Sequence, residues 1–320
     1  MKLKALSHYN GDRDTKFGDC IMIYDYRSLI VYDCGHVKHA EAVEAFLQSN
    51  WSITQVYIVV SHNDYDHTSG VCGLLEWLNS CSRYSVQVYL HLYLKHVDTI
   101  VKKVDDERRN RESIKEAVLD EFNNIKKIIE TAQTCNFSVN DALIGVKVGD
   151  CIIVGPTEDE FTDAVAKAVD NRESDKIGEG LAEETVKNAA SIQLSCKLDN
   201  AANILLCGDA SPDYLHNLNV YDVVQLPHHG QLDSAKAIFD ELQGNSYKKD
   251  YLVSDNTGSA ISSGGSDKLV KYMDEENYDP AMNTKNGPVF IPSGGITTPK
   301  QQGVKLGDLD YKCWQRYYRR

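Results

Sequence analysis

A short stretch of the sequence combines several side chains that can bind metal ions. Residues 61–67 read SHNDYDH and follow the apolar run ITQVYIVV. The four ligand candidates are His62, Asp64, Asp66 and His67. Positions two apart share a face in an extended chain but not on a helix, and a loop leaving a strand would let all four surround one small volume. Because two imidazoles and two carboxylates suit zinc, manganese or iron, the pattern predicts a metal site rather than a polar surface turn.

The elements around this stretch alternate between predicted strands and helices. The runs CIMIYDY, SLIVYDCG, ITQVYIVV and YSVQVYLHLYL are rich in β-branched and aromatic residues, as strands are. Between them, VKHAEAVEAFLQSN and TSGVCGLLEWLNSC have apolar residues at helical spacing. Further strand-like runs follow in the second half: GVKVGDCIIVGP, SIQLSCKL, NILLCGDA, YDVVQLPHHG and DYLVSDNTG. This alternation predicts an α/β architecture, with ITQVYIVV as a strand buried on both faces.

Two polar stretches interrupt the alternation. Residues 95–135 are highly charged, and their apolar positions fit one long amphipathic helix. That helix is either solvated with one face on the core, or a face that meets a partner or the substrate. Residues 157–187 form a second polar helical stretch, with a loop predicted in NRESDKIGEG. From Asp279 onward we expect short strands and loops, ending in the basic aromatic tip YKCWQRYYRR.

The composition limits the classes of protein that fit. The chain has 320 residues, 42% of them hydrophobic and 25% charged, which is typical of a globular protein. We find no apolar stretch of membrane-spanning length and no signal peptide, so we expect no membrane association. The formal net charge of −13 argues against nucleic-acid binding through a broad basic face. Any nucleic-acid role must therefore depend on a local site or on bound metal.

The cysteines predict a reducing compartment. There are nine, scattered singly and without a CxxC pair. Several lie inside apolar strand-like runs, where free thiols pack as small apolar side chains. The pattern therefore predicts reduced thiols and a cytoplasmic location.

Several motifs together resemble a known family. SHNDYDHTSG resembles the HxHxDH signature of the metallo-β-lactamase fold, in the HxDxDH form of ComEC/Rec2-like hydrolase domains. Five further parts of that group's pattern occur in order along the chain: KFGDCIMIYD with LIVYDCG before this stretch, and VGPTEDEF, KNAASIQL, LLCGDA and LPHHGQ after it. The resemblance covers roughly residues 14–260. It implies one domain over residues 1–320, an αβ/βα four-layer sandwich with helical insertions at about 95–135 and 157–187 and a C-terminal extension at about 279–320.

The resemblance also implies a dinuclear metal centre. His62 and Asp64 would bind one divalent ion. Asp66 and His67 would bind the second, and Asp209 of LLCGDA would bridge the pair. The ions would be Zn²⁺ or Mn²⁺, with the second site held weakly. Asp66 is thereby also a catalytic residue.

The later motifs imply further site residues. His228 of LPHHG would be a ligand, and His229 would bind metal, act on the substrate as an acid, or hydrogen-bond a ligand and hold it in place. Asn188 replaces the third histidine usual in metallo-β-lactamases, so it would orient water or substrate. Asp33 would hold a ligand or a loop, or only end its strand. Since no histidine follows His229, the last ligand would be one of this pair, a residue such as Asp255, or missing.

The function implied is metal-dependent hydrolysis. A metal-activated hydroxide would cleave a phosphodiester of nucleic acid or a nucleotide, as a phosphodiesterase or nuclease. Stand-alone relatives occur in bacterial operons, including antiviral defence systems, so a protein partner is expected on the charged helical insertion. One alternative is a hydrolase of a small ester, lactone, thioester or β-lactam. Another is a regulatory or scaffold protein with a degraded metal site.

Overall fold

A computed structural model describes residues 1–8, 18–104, 110–171, 188–256 and 265–292. Most of the loop predicted in NRESDKIGEG and the whole basic aromatic tip lie outside these ranges.

The first sheet contains seven strands and positions the SHNDYDH motif. Its strands are β1 (Lys2–Ala5), β2 (Ile21–Tyr24), β3 (Ser28–Tyr32), β4 (Gln55–Val59), β5 (Ser85–Leu90), β6 (Ser138–Asp141) and β14 (Val289–Ile291). Their order is β14-β1-β2-β3-β4-β5-β6. Strands β3 to β6 are mutually parallel, whereas β14, β1, β2 and β3 pair antiparallel. The apolar run before the motif is thus β4, a strand with parallel neighbours on both sides.

The second sheet has the same plan. Its strands are β7 (Lys147–Val148), β8 (Cys151–Gly155), β9 (Gln193–Lys197), β10 (Asn203–Leu206), β11 (Val223–Gln225), β12 (Asp250–Val253) and β13 (Met282–Asn283). Their order is β13-β12-β11-β10-β9-β8-β7. Strands β10 to β13 run parallel, and the pairs from β10 to β7 are antiparallel.

Helices cover the outer faces of both sheets. They are α1 (Val37–Ser49), α2 (Tyr65–Thr68), α3 (Val71–Cys81), α4 (Val97–Lys103), α5 (Arg111–Glu121), α6 (Asn123–Thr134), α7 (Glu158–Asn171), α8 (Leu232–Leu242) and α9 (Asp267–Glu275). Short 3₁₀ turns occur at Tyr93–His96, Pro212–Tyr214, Leu218–Val220, Gln243–Lys248 and Thr284–Asn286. Among the described residues, no helix is long and apolar enough to cross a membrane.

Three groups of buried apolar residues show how the layers pack. One joins the outer face of the first sheet to α1, α3 and the helices α5 to α7. A second lies between the two sheets, where Ile30 and Val59 of the first share a cluster with Leu194 and Leu206 of the second. The third joins the second sheet to α8 and α9. Helices, sheet, sheet and helices form four layers, so the predicted α/β four-layer sandwich is confirmed.

The prediction of one long helix in residues 95–135 is wrong. The described part of this stretch contains α4, α5 and α6 as separate helices. The chain leaves helical geometry at Phe122, with φ −107° and ψ 42°, although the apolar spacing continues through it. Phe122 is buried and stacks on Tyr93 with ring centroids 3.9 Å apart. The spacing of apolar residues shows only that one face of the stretch is buried. A bend that keeps this face towards the core leaves the spacing unchanged.

The prediction that all cysteines are reduced is also wrong for one pair. Of the described cysteines, Cys151 and Cys196 form a disulfide and the other six are free. The two lie directly opposite each other in the antiparallel pair of β8 and β9, with Cα atoms 4.6 Å apart. That distance is within the usual range for a disulfide. The sequence shows only a separation of 45 residues, because the opposition depends on strand register.

A buried hydrogen bond between the sheets yields a stability prediction. The Tyr32 hydroxyl is fully buried and donates to the carbonyl of Ile192 at 2.5 Å. Tyr32→Phe should lower the free energy of unfolding by about 1–2 kcal/mol, because a buried carbonyl loses a donor. Urea denaturation measures this change. Tyr57→Phe is the control, since its hydroxyl only meets Gln55 at the surface at 3.1 Å; an equal loss in both variants would contradict the prediction.

Candidate metal centre

The motif residues converge on one edge of the sandwich, where parallel strands of both sheets end. The SHNDYDH stretch follows β4 and Asp33 follows β3, whereas Asp209 follows β10 and the His228–His229 pair follows β11. The carboxyl ends of parallel strands meet at one edge of a sheet, and this is where α/β proteins commonly place their sites. Asn188 precedes β9, which runs antiparallel to β10, and therefore lies at the same edge.

Asp33 holds the motif in position from a strand end. Its backbone has a left-handed φ of 59°, and its carboxylate is fully buried. The carboxylate accepts the amide and hydroxyl of Ser61, both at 2.7 Å, and lies 2.8 Å from Nδ1 of His67. A proton on Nδ1 donated to Asp33 directs Nε2 of His67 towards the cluster. These contacts support the prediction that Asp33 holds a ligand candidate, rather than the alternative that it only ends its strand.

Ser61 orients the second histidine. Its hydroxyl donates to Asp33 and lies 2.9 Å from Nδ1 of His62. The Nε2 atoms of His62 and His67 are both buried and have no hydrogen-bond partner. Nε2 of His67 is 3.5 Å from Oδ2 of Asp209, and Nε2 of His62 is 4.0 Å from the same oxygen. Since buried polar atoms nearly always have partners, two imidazole nitrogens facing one carboxylate fit a metal-binding role.

Four buried side chains form the tightest group of ligand candidates. Asp19, His67, Asp209 and His229 each offer an atom, and these atoms lie within 4.8 Å of one another. The sequence interpretation did not include Asp19 among the site residues. It precedes β2, and its carboxylate accepts Nε2 of Gln225 at 3.2 Å and contacts Nδ1 of His229 at 3.0 Å. The available signal was KFGDC, in which the aspartate was assigned only to a hairpin motif.

The paired histidines face different parts of the cluster. Both lie in the Pro227–Gly230 turn, where His228 and His229 have left-handed φ values of 51° and 55°. The His228 amide donates to Oδ1 of Asp209 at 3.1 Å, and its Nδ1 is 3.4 Å from Oδ2. His229 contacts Oδ2 of Asp66 through Nε2 at 3.1 Å, and its Nδ1 also lies 3.1 Å from the carbonyl of Ser254. The turn thus places one imidazole beside Asp209 and the other between Asp19 and Asp66.

Asn188 and Asp64 form a further part of the site. The Asn188 amide donates to Oδ2 of Asp64 at 2.7 Å, and that oxygen is 3.7 Å from Nε2 of His62. Oδ1 of Asn188 is buried without a hydrogen-bond partner. Asp255 is directed elsewhere, because its carboxylate accepts both the amide and the hydroxyl of Ser266. The structure therefore brings His62, Asp64, Asp66, His67, Asp209 and His228 together, and it engages Asp255 with Ser266.

The concentration of carboxylates shifts the protonation of the histidines. Burial lowers the pKa of His67, but the charges of Asp209 and Asp33 outweigh burial and raise that pKa well above its usual value. For His229, burial is outweighed in the same way by Asp19 and Asp209, which raise its pKa. Conversely, burial raises the pKa of Asp209, but the nearby imidazoles dominate and hold it well below its usual range. The cluster therefore attracts positive charge, either as protons or as a cation.

Two glycines let the backbone of the motif pack against neighbouring turns. A Cβ at Gly18 or at Gly35 would lie 1.7 Å from the carbonyl oxygen of Asp66. The same oxygen accepts the amide of Asp19 at 2.9 Å, and the Gly35 amide donates to the Asp19 carbonyl at 2.9 Å. The absence of side chains at these glycines allows the segments that carry Asp19 and Asp66 to meet.

Comparisons with known proteins returned matches among solved structures. No family model matches the chain, and no curated protein is significantly similar to it. Among solved structures, a proposed metallo-β-lactamase of Thermotoga maritima is similar over 65% of this chain and 76% of its own, with 12% identity and a TM-score of 0.32. The metallo-β-lactamase fold protein YhfI of Bacillus subtilis is similar over 78% of both chains, with 9% identity and a TM-score of 0.38. Neither likeness bears on the activity of this chain.

The packing of Gly35 can be tested with a matched control. Gly35→Ala should greatly weaken divalent-metal binding, because its methyl group collides with the Asp66 backbone. Gly73→Ala in α3 adds the same methyl group where no atom lies within 4 Å, and it should stabilise the protein by up to about 1 kcal/mol. Metal affinity by calorimetry and melting temperature check both outcomes. Unchanged metal affinity in Gly35→Ala would show that the close contact is not required.

Proposed function

We propose that this protein is a metal-dependent hydrolase that cleaves a phosphodiester of nucleic acid or of a nucleotide. The observation that carries the proposal is the pair of buried Nε2 atoms of His62 and His67, which have no hydrogen-bond partner and lie within 4.0 Å of Oδ2 of Asp209. An isolated buried imidazole is often only a packed core residue. Two that share one buried carboxylate, each oriented from its far side through Asp33 or Ser61, are arranged as metal ligands are.

We assign the ligand candidates to two groups that share Asp209. His62, Asp64 and His228 form one group, and Asp66, His67, His229 and Asp19 form the other. Oδ2 of Asp209 contacts a histidine of each group: it lies 3.4 Å from Nδ1 of His228 and 3.5 Å from Nε2 of His67. This division supports two ions bridged by Asp209, with Asp19 and His229 completing a shell that appeared incomplete from the sequence.

The charge balance also favours two cations. Four carboxylates, those of Asp19, Asp64, Asp66 and Asp209, meet at one edge of the molecule, and Asp19 and Asp209 are almost fully buried. Burying unpaired carboxylates is costly, and two dications would offset four negative charges. Mixed imidazole and carboxylate ligands suit Zn²⁺ and Mn²⁺. The same cations would allow an acidic protein to bind an anionic substrate.

The chemistry follows from this arrangement. When bound, a pair of divalent ions lowers the pKa of a water molecule and stabilises the negative charge of the transition state. Asp66 and Asp209 are in the ionised form, in which carboxylates can bind cations. Asn188 is fixed by its bond to Asp64, and its buried Oδ1, which has no hydrogen-bond partner, could accept a hydrogen from water or substrate. We take His229 as a ligand, because its Nδ1 is held by Asp19 and the carbonyl of Ser254 while its Nε2 lies 3.1 Å from Oδ2 of the ligand candidate Asp66.

The finer assignment continues the sequence resemblance. The HxDxDH form with paired histidines supports the ComEC/Rec2-like branch, in one domain over residues 1–320. We accordingly propose a bacterial, cytoplasmic enzyme of antiviral defence or a related operon, with a protein partner at the charged helices. The cysteine argument for the cytoplasm is weakened by the Cys151–Cys196 disulfide.

Turnover assays test the activity directly. With added Mn²⁺ or Zn²⁺ the protein should hydrolyse bis(p-nitrophenyl) phosphate and at least one of DNA, RNA or cyclic nucleotides. Asp209→Ala should reduce this rate to that of metal alone, since it removes the carboxylate shared by both groups. His216→Ala is the control, because His216 is partly exposed and pairs with Glu160 away from the cluster. Hydrolysis of p-nitrophenyl acetate or a lactone without phosphodiester turnover would instead favour the esterase alternative.

Metal binding should depend on pH in a defined direction. Because the carboxylates raise the pKa of His67 and His229, the metal-free site holds protons that a cation must displace. Metal affinity should therefore rise with pH through the range above the ordinary histidine value, with release of protons. Calorimetry in buffers of different ionisation enthalpy measures that release. Binding without proton release would contradict the assignment of these histidines as ligands.

A further inference from the structure

The side chain of Asn63 points from the metal motif to the charged helices. Asn63 lies between the ligand candidates His62 and Asp64. Its Nδ2 donates to the carbonyl of Glu121 at 3.2 Å, and its Oδ1 accepts the amide of Ile125 at 3.1 Å. In a third bond, Nδ2 of Asn124 donates to the backbone carbonyl of Asn63 at 2.8 Å. Three hydrogen bonds thus connect the motif to the junction of α5 and α6.

These bonds satisfy groups that a helix cannot satisfy itself. The last carbonyls of a helix and its first amides have no partner within the helix. Glu121 ends α5, and Ile125 is the third residue of α6. The residue between the helices is Phe122, whose side chain cannot cap α6, and no local side chain caps this end. Asn63 supplies the capping oxygen, a role for which asparagine is among the favoured residues.

The junction is also anchored on its apolar side. Phe122 is 4% exposed and stacks on Tyr93. Ile125 is buried in the same apolar cluster, at 2% exposure. The helix junction is therefore a packed support rather than a free loop, and Asn63 is the side chain through which the motif meets it.

We propose that Asn63 is a positioning residue that couples the α5–α6 junction to metal binding by His62 and Asp64. The inference rests on the proposed metal centre and extends it, since both polar groups of the Asn63 side chain are bonded to the helix junction. Hydrogen-bonding neighbours of metal ligands commonly change metal affinity about 10- to 100-fold when they are removed. Because coupling between two sites is reciprocal, metal binding should in turn order the helix junction.

Metal titration of variants tests the first direction. Asn63→Ala should weaken Mn²⁺ or Zn²⁺ binding about tenfold. Asn124→Ala, which lies in the helical insertion, should weaken it by a smaller factor. Asn50→Ala is the matched control: its amide donates to the carbonyl of Phe46 at 2.7 Å at the end of α1, beyond the opposite end of β4. That variant should lose stability without loss of metal affinity.

Hydrogen exchange on the wild-type protein tests the second direction and does not depend on the folding of a variant. Adding Mn²⁺ or Zn²⁺ should slow exchange of the Ile125 amide, and Asn63→Ala should remove this effect. Metal affinity unchanged in Asn63→Ala, or Ile125 exchange unaffected by metal, would overturn the coupling while leaving the metal centre intact. A wild-type protein that binds neither metal would overturn the proposed function, and the coupling with it.

Discussion

The buried carboxylate of Asp33 is the constraint on which the site depends. It ends β3 in a left-handed turn and accepts the amide and hydroxyl of Ser61, so it fixes how the chain leaves β4. Through His67 directly, and through Ser61 for His62, it sets which nitrogen of each imidazole faces the cluster. Two parallel neighbouring strands thereby determine the chemistry of a motif that has only three helical residues of its own, Tyr65 to His67.

The second sheet contributes part of the cluster of charged side chains, and the first sheet contributes the rest. Asp209 arrives from the end of β10 and the two histidines from the turn after β11, so the centre forms only when both sheets pack face to face. The cluster between the sheets and the Tyr32 hydrogen bond to Ile192 hold that packing. Stability and site geometry are therefore linked. A change that separated the sheets would part His67 from Asp209 without altering either residue.

The sequence was sufficient for the architecture and for most ligand candidates, because both leave local patterns. Strands showed as β-branched runs, and the ordered motifs located His62, Asp64, Asp66, His67, Asp209 and the His228–His229 pair. Features that depend on register or on distant backbone were missed. Asp19 joins the cluster only because the turn after Gly18 packs on Asp66, and Cys151 opposes Cys196 only through strand pairing. The break at Phe122 was hidden because the apolar period continues across it.

The helical insertion has a closer relation to the site than its charged composition suggested. Its outer faces are solvated, as expected for helices that pack one face on the core. Its α5–α6 junction, however, is bonded to Asn63 inside the motif and packed on Tyr93 from β5's end. A helix that only covered the core would need the packing of Phe122 on Tyr93. It would not need the three hydrogen bonds with Asn63. Polar bonds have strict geometry, so they transmit small displacements that an apolar contact would absorb. These contacts make the α5–α6 junction a support for the segment that carries the metal-ligand candidates.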